Sequence, residues 1–205
     1  MSKLDDLIQQ FEKFPGVGAR QARRFAFHVL TLPEAESTQL ADLIAHIQGE
    51  VVECESCHRF FAKNGTARNL CRICNAPNRD HTRLLVVERD SDITAIERAG
   101  IYDGLYFVLG GTVPLLNSPD TSKLRAGALK ATVTARLPEG LAEVILGFSV
   151  NPDGENTMRF VESLLEPVLA DTEVTVTHLG RGLSTGSELE YADPETIKHA
   201  LSHRT

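Results

Sequence analysis

Apolar positions change their period twice along this chain. Leu4, Leu7, Ile8 and Phe11 recur at helical spacing and predict a short amphipathic helix over residues 4–13. Phe14-Pro15-Gly16-Val17-Gly18 interrupts it. Ala22, Phe25, Ala26 and Val29 then share one face of a second helix over 20–30. Leu40, Leu43, Ile44 and Ile47 predict a third over 34–48, with that stripe expected to face inward. Residues 51–79 keep neither period, and Pro77-Asn78 marks the exit from that stretch. From Arg83 onward, short apolar runs predict strands at 84–87, 105–109, 143–148 and 173–178, alternating with helical patterns at 93–99, 124–137 and 157–169. Strands alternating with helices imply a parallel sheet covered on both faces. Residues 181–193 are Gly-rich and polar and read as a loop before a last short helix near 194–202. The expected fold class is α/β with an all-α N-terminal region, a small cysteine module and a parallel sheet flanked by helices. There is no internal repeat or low-complexity tract.

Composition narrows the function without choosing it. The 205 residues are 42% hydrophobic and 24% charged, which is ordinary globular composition. No apolar run approaches the roughly 18 to 20 residues of a membrane span, so no membrane association is expected. Trp is absent and aromatic content is 6%, so an aromatic platform for stacking bases is not evident. The net charge of −7 argues on its own against a polyanionic partner. Its distribution changes that reading. Residues 84–205 hold eighteen Asp/Glu against ten Lys/Arg, whereas residues 51–83 hold six Lys/Arg against three Asp/Glu. The basic character is local, and a charge run is usually a solvated face.

All four cysteines stand in two knuckles, Cys54-x-x-Cys57 and Cys71-x-x-Cys74. Four thiolates can close a tetrahedron around one Zn²⁺ at about 2.3 Å per bond, leaving about −2 of charge. With every cysteine a ligand and no position open to substrate, the site reads as structural, one Zn²⁺ per chain. The alternative is a pair of disulfides. Met1 to Phe14 lacks a continuous apolar core, so no secretory signal is expected and the chain reads as cytoplasmic, where paired C-x-x-C motifs hold metal. His58 adjoins Cys57 and could substitute as a ligand, though four cysteines make it unnecessary.

Pro15-Gly16-Val17-Gly18 between two amphipathic helices has a physical use. Glycines permit the tight turn and let the backbone approach a phosphate closely. The next helix offers unpaired N–H groups and its positive dipole end to that anion. Arg20, Arg23 and Arg24 add charge in its first turns. This pattern resembles the helix-hairpin-helix, which contacts a nucleic-acid backbone without reading sequence. The plainer reading is a helix–helix turn with solvated arginines. His28 and His46 lie in helical segments and read as packing or solvated residues.

Glu88 ends the first strand of the sheet, where ligand sites collect in open parallel sheets. A polar cluster from Ser149 to Glu155 follows the third strand. Strand-end Glu plus a later acidic cluster is the layout of a Toprim domain, whose later motif resembles D-x-D-x-E-G-E. Setting Asp153-Gly154-Glu155 on its end places Ser149 and Asn151 where the two aspartates would be. Mg²⁺ prefers anionic oxygens, so a competent two-metal centre is not expected. Glu88, Asp90, Asp153 and Glu155 remain a possible vestigial acidic site. No G-x-x-x-x-G-K-[ST] motif occurs, hence no P-loop for ATP.

The order of these modules resembles the RecR family of bacterial recombination proteins. The similarity runs through Phe14-Pro15-Gly16-Val17-Gly18 to His28, Leu85-Val86-Val87-Glu88, and Gly104 to Gly111. Arg181-Gly182-Leu183 with Gly186, then Leu189-Glu190-Tyr191-Ala192-Asp193, is the most specific match. The resemblance implies a helix-hairpin-helix domain over 1–53, a four-cysteine zinc finger over 54–79, a Toprim domain over 80–178 and a C-terminal Gly-rich loop and helix over 179–205. It implies a DNA clamp without catalytic activity, assembled as a dimer or tetramer ring on single- and double-stranded DNA. It further implies work beside RecO and RecF in loading RecA at single-stranded gaps, at the nucleoid. Arg20 and Arg24 fall at positions the family uses for DNA. Two features depart from the family pattern. Residues 58–70 between the knuckles are longer, and Asp153-Gly154-Glu155 stands where Glu-Gly-Glu is usual, with Ser149 to Pro152 diverging. A Mg²⁺-dependent Toprim nuclease or primase using Glu88, Asp153 and Glu155, and a protein-interaction scaffold without DNA contact, are the competing readings.

Overall fold

The computed structural model describes residues 2–63, 65, 68–115, 121, 122, 124–180, 194 and 196–198. The chain divides into two compact units, Met1–Val52 and Glu53–Thr205.

The first unit is helical. Helix α1 (Lys3–Glu12) opens on a capping box: the Ser2 hydroxyl accepts from the Asp5 backbone N–H at 3.2 Å, and the Asp5 carboxylate accepts from the Ser2 N–H at 3.0 Å. Helix α2 (Ala19–Thr31) buries Ala22 and Ala26 completely, small side chains that let α1 and α2 approach closely. Phe11 fills the space beside them, its ring 5.9 Å from both Phe14 and Phe25. Helix α3 (Glu34–Glu50) follows Pro33, with Glu34 and Glu36 on the positive end of its dipole.

The three helices fall where the apolar period places them, but the stripe on α3 does not face inward. Leu40, Leu43, Ile44 and Ile47, expected to face inward, are 39, 58, 65 and 49% exposed. Periodicity reports that a face is apolar, and it does not say which chain covers it. No side chain of α3 is buried in this chain.

In the second unit, a four-stranded parallel sheet runs in the order β4–β3–β5–β6, built from β3 (Asp80–Val87), β4 (Gly104–Val108), β5 (Glu143–Gly147) and β6 (Thr175–His178). Leu84 of β3 sits between Leu105 and Val144, and Val87 between Val108 and Gly147. The period of two sends Leu84 and Val86 to one face, where helices α5 (Ala126–Arg136) and α6 (Pro152–Leu169) cover them with Leu129, Val133, Val161 and Leu165. Leu85 and Val87 face the other way, toward Ile93 of α4 (Asp90–Ala99) and the cysteine segment. The expected cover on both faces is therefore present, with the cysteine segment supplying part of it. That segment also covers the end of an edge strand. The Val108 N–H on the outer side of β4 donates to the Cys57 carbonyl at 2.8 Å, so this donor is not free to pair with another strand. The short strands β1 (Val51–Glu53) and β2 (Phe60–Ala62) flank the first knuckle. The predicted loop at 181–193 lies outside the described residues. So does most of the predicted helix at 194–202, of which Pro194 and residues 196–198 are helical.

Helix α6 starts at Pro152, five residues before the predicted 157. Its start signals are local: the Asn151 side chain accepts from the Gly154 N–H at 2.8 Å, Pro152 occupies the first turn, and Asp153 and Glu155 face the dipole. Gly154 is the tight point of this turn. A Cβ there would lie 1.9 Å from the Ser149 carbonyl oxygen, a backbone atom that cannot swing away. Gly-to-Ala in an open helix gains up to about 1 kcal/mol. Here the sign reverses, and Gly154→Ala is expected to cost at least about 2 kcal/mol, in the range of core overpacking. Thermal melting of the variant checks it.

Candidate metal centre and nucleic-acid interface

Each knuckle is a turn closed by its own backbone. The His58 N–H donates to the Cys54 carbonyl and the Asn75 N–H to the Cys71 carbonyl, both at 3.0 Å. The turns point four sulfurs at one another: all lie within 4.8 Å, and Cys57 Sγ and Cys71 Sγ are 3.7 Å apart. A tetrahedron with about 2.3 Å from metal to sulfur has an edge of about 3.8 Å. All four are free thiols, so the disulfide alternative fails. The Cys71 N–H donates to Cys54 Sγ at 3.4 Å, linking the knuckles.

Burial makes this cluster an unfavourable home for four negative charges on its own. The Cys54 thiol is pulled far below its ordinary value because Cys57, Cys71 and Cys74 hydrogen-bond to its sulfur, whereas Cys57 and Cys74 are pushed well above theirs by hydrogen bonds to Cys54 and by burial. A divalent cation removes that conflict by neutralising the thiolates it binds. Among the described residues, these cysteines form the one converging group of His, Cys, Asp or Glu side chains able to hold a metal ion. His58 is not in it. Its backbone sits at φ 61°, its Nδ1 is 2.6 Å from Glu53 Oε1, and its ring packs edge-on to Phe107 at 5.0 Å. It shapes the knuckle instead.

The hairpin turn has the geometry its residues imply. The Val17 N–H donates to the Phe14 carbonyl at 3.0 Å, with Pro15 second and Gly16 third at φ +76°, the pattern of a type II turn. Gly16 is required by that backbone angle. Gly18 is not: it is extended, and an added Cβ would meet nothing of the chain within 4 Å. No side chain caps α2; the Gln21 and Ala22 N–H groups donate to the Gly18 carbonyl at 2.9 and 3.0 Å, which leaves those of Ala19 and Arg20 to meet an anion. Arg20, Arg23 and Arg24 are exposed, and with Phe27, His28 and Thr31 they line one groove of about 660 Å³ along α2. No carboxylate forms an ion pair with these three arginines among the described residues. His46 lies elsewhere, on α3, with its Nδ1 2.7 Å from the Asp42 carbonyl.

The Toprim-type carboxylates are dispersed into structural work. Glu88 is buried just after β3 and pairs with Arg89 at 2.6 Å. Asp90 accepts from the Phe60 N–H at 2.7 Å, tying β2 to the start of α4. Asp153 accepts from the Leu115 N–H at 2.9 Å and holds the loop after β4. Glu155 lies in the first turn of α6. These four do not converge on a point where an ion could sit.

Sequence reading missed Glu53 and Arg125. Arg125 Nε and Nη2 donate to the Glu53 carboxylate at 3.2 and 3.4 Å, while its Nη1 donates to the Val108 carbonyl at 3.2 Å. The pair ties the knuckle to β4 across 72 positions of sequence, so no local pattern carried the signal.

Comparison with known proteins agrees with this layout. Residues 4–47 match the family model described as RecR, helix-hairpin-helix; residues 82–180 match a Toprim domain; residues 182–205 match RecR, C-terminal. Proteins named Recombination protein RecR are similar over nearly the whole length. That of Lactobacillus helveticus is 34% identical over 97% of this chain and 94% of its own length. Those of Bifidobacterium animalis subsp. lactis and Chloroflexus aggregans are 38 and 39% identical over 97% of this chain and 93 and 91% of theirs.

Proposed function

The chain belongs to the RecR family of recombination proteins, and we propose that it is a DNA-binding clamp of recombinational repair with no catalytic activity of its own. The observation that carries this is the hairpin. A glycine turn, an uncapped helix N-terminus and three arginines in one groove make a surface for sugar-phosphate. Contacts to sugar-phosphate do not depend on base sequence or on pairing, so single- and double-stranded DNA are both proposed ligands. Gly16, Gly18, Arg20, Arg23 and Arg24 are the assigned contacts.

Self-association into a dimer or tetramer ring completes the proposal. It is supported by the apolar face of α3, with Phe27 and Leu30 of α2 more than half exposed as well. Apolar faces left uncovered in one chain mark sites of association. A ring also explains how an acidic protein holds DNA: several hairpins facing one opening concentrate arginines in one place although each chain carries a net charge of −7. The cysteine cluster is assigned one structural Zn²⁺, which would hold the knuckles together and carry no substrate. RecO and RecF are the proposed partners, RecA loading at single-stranded gaps the proposed outcome, and the cytoplasm and nucleoid the proposed place. No helix among the described residues is long and apolar enough to cross a membrane. We assign 1–53 to the hairpin domain, 54–79 to the zinc finger, 80–178 to the Toprim domain and 179–205 to the C-terminal segment.

The Toprim fold alone would equally suit a nuclease or primase. Against it stand Ser149 and Asn151 in place of two aspartates, and the engagement of Asp90 and Asp153 with backbone donors. Phosphoryl transfer depends on metal ions to neutralise developing charge. Purified protein incubated with labelled single- and double-stranded DNA in Mg²⁺ or Mn²⁺ is expected to bind in a salt-sensitive manner and leave the strands intact. Cleavage that disappears in Glu88→Gln would overturn the non-catalytic assignment.

A further inference from the structure

Two side-chain N–H groups among the described residues are buried without any partner, and both belong to arginines beside the cysteine cluster: Nε of Arg59 and Nη1 of Arg136. Arg136 is the more telling. It ends α5 with 9% of its surface exposed, the one cation among the buried described residues. Its Nη2 donates to Ser56 Oγ at 3.0 Å, and Ser56 stands between Cys54 and Cys57. Arg136 and Cys74 line the same cleft of about 360 Å³ between the knuckles and α5. Arg59 follows Cys57 by two residues, and the Cys54 N–H donates to its carbonyl at 2.8 Å.

Neither arginine forms an ion pair among the described residues. Two carboxylates line the cleft and neither pairs with Arg136: Glu55 is exposed and pairs with Arg68 at 3.6 Å, and Glu139 is exposed on the short turn after α5. A guanidinium cannot shed its proton to escape burial, since it stays charged at any ordinary pH. A buried charge without a counter-charge is strongly unfavourable. The loaded cysteine cluster supplies that counter-charge, because four thiolates and one divalent cation sum to −2.

We infer that Arg136 and Arg59 are the built-in counter-cations of the metal-loaded cysteine cluster, with Ser56 fixing the orientation of Arg136. This rests on the assignment of a divalent metal to the four cysteines. It makes α5 sense the metal. The negative charge of the loaded cluster offsets a guanidinium delivered by the sheet domain, so the two parts of this unit stabilise each other through charge as well as packing. The arginines touch no ligand sulfur within hydrogen-bonding distance, and act on the metal by charge and position.

The test is competition for zinc between the full chain and a chromophoric chelator. Arg136→Met is expected to weaken zinc binding by about 10- to 100-fold, the usual effect of losing an outer-shell partner. Arg136→Lys, which keeps the charge, recovers most of that loss, and Arg59→Met weakens binding by less. Val133→Ala, one turn earlier on α5 and fully buried, opens a cavity in the same helix and is expected to lower the melting temperature while leaving zinc affinity unchanged. If Arg136→Met does not fold, Arg59→Met and Arg136→Lys carry the measurement. A wild-type chain that takes up no zinc sinks the metal assignment. A wild-type chain that binds zinc while the arginine variants bind it equally well, or no worse than Val133→Ala, sinks this inference alone.

Discussion

Cys54→Ser is expected to abolish metal binding and unfold the knuckles. A structural zinc contributes of order 10 kcal/mol of folding free energy to the segment that holds it, comparable to the whole stability of an ordinary domain. Serine at pH 7 supplies a neutral hydroxyl in place of a thiolate, and the remaining three ligands cannot close the tetrahedron. The damage reaches beyond the knuckles, for reasons visible in the packing. Cys54, Cys57, Cys71 and Ile73 belong to the same buried cluster as Leu85, Val87, Tyr106 and Val108 of the sheet. Their release uncovers one face of β3 and β4 and frees the Val108 N–H now held by Cys57. An open apolar strand edge is a template for aggregation. The expected readings are zinc falling from one per chain to none by elemental analysis, a lower melting temperature and concentration-dependent aggregation. The helices of the first unit, which share no core cluster with the cysteines, should keep their circular-dichroism signal. A variant that retains stoichiometric zinc and its melting temperature would show that the cysteines are not the ligand set.

Legibility in the sequence followed the range of the interactions. The four cysteines were readable because chemistry demands them at fixed spacing, and the hairpin because Pro15-Gly16 imposes its turn within four residues. Strand and helix order followed from runs such as Leu84 to Val87, whose period is local. What escaped were facts set at a distance. The apolar stripe of α3 was visible, but its partner was not, and the inward assignment failed on that ground. The start of α6 lies at Asn151-Pro152, five residues before the apolar period begins, because capping uses polar residues of the same types that metal ligation does. Arg125, Glu53 and Arg136 meet partners 70 or more positions away, and nothing in their neighbourhoods marks them. The carboxylates after β3 and in α6 were legible as residues, whereas their engagement with the Phe60 and Leu115 N–H groups depends on where two loops land.

Replacing Arg20 and Arg24 together with Ala is expected to weaken DNA binding while leaving fold and zinc content intact. Both side chains are exposed on α2, and neither supports the α1–α2 contact made by Phe11, Ala22, Phe25 and Ala26. Alanine is also the better helix former, so the helix itself is not endangered. The signature that separates a phosphate contact from an indirect effect is the salt dependence. Each phosphate neutralised contributes about −0.9 to the slope of log K against log salt on duplex, and about −0.7 on single strands. Loss of two contacts per engaged protomer should therefore flatten the slope by about 1.8 on duplex and about 1.4 on single-stranded DNA. In a ring that engages DNA through several hairpins, the change is multiplied by the number engaged, so the slope difference also counts hairpins. Fluorescence anisotropy from low to moderate salt measures it, with light scattering on the same samples to fix the number of chains. An unchanged slope in the double variant, with the helices intact, would remove the α2 groove as the site where this protein meets DNA.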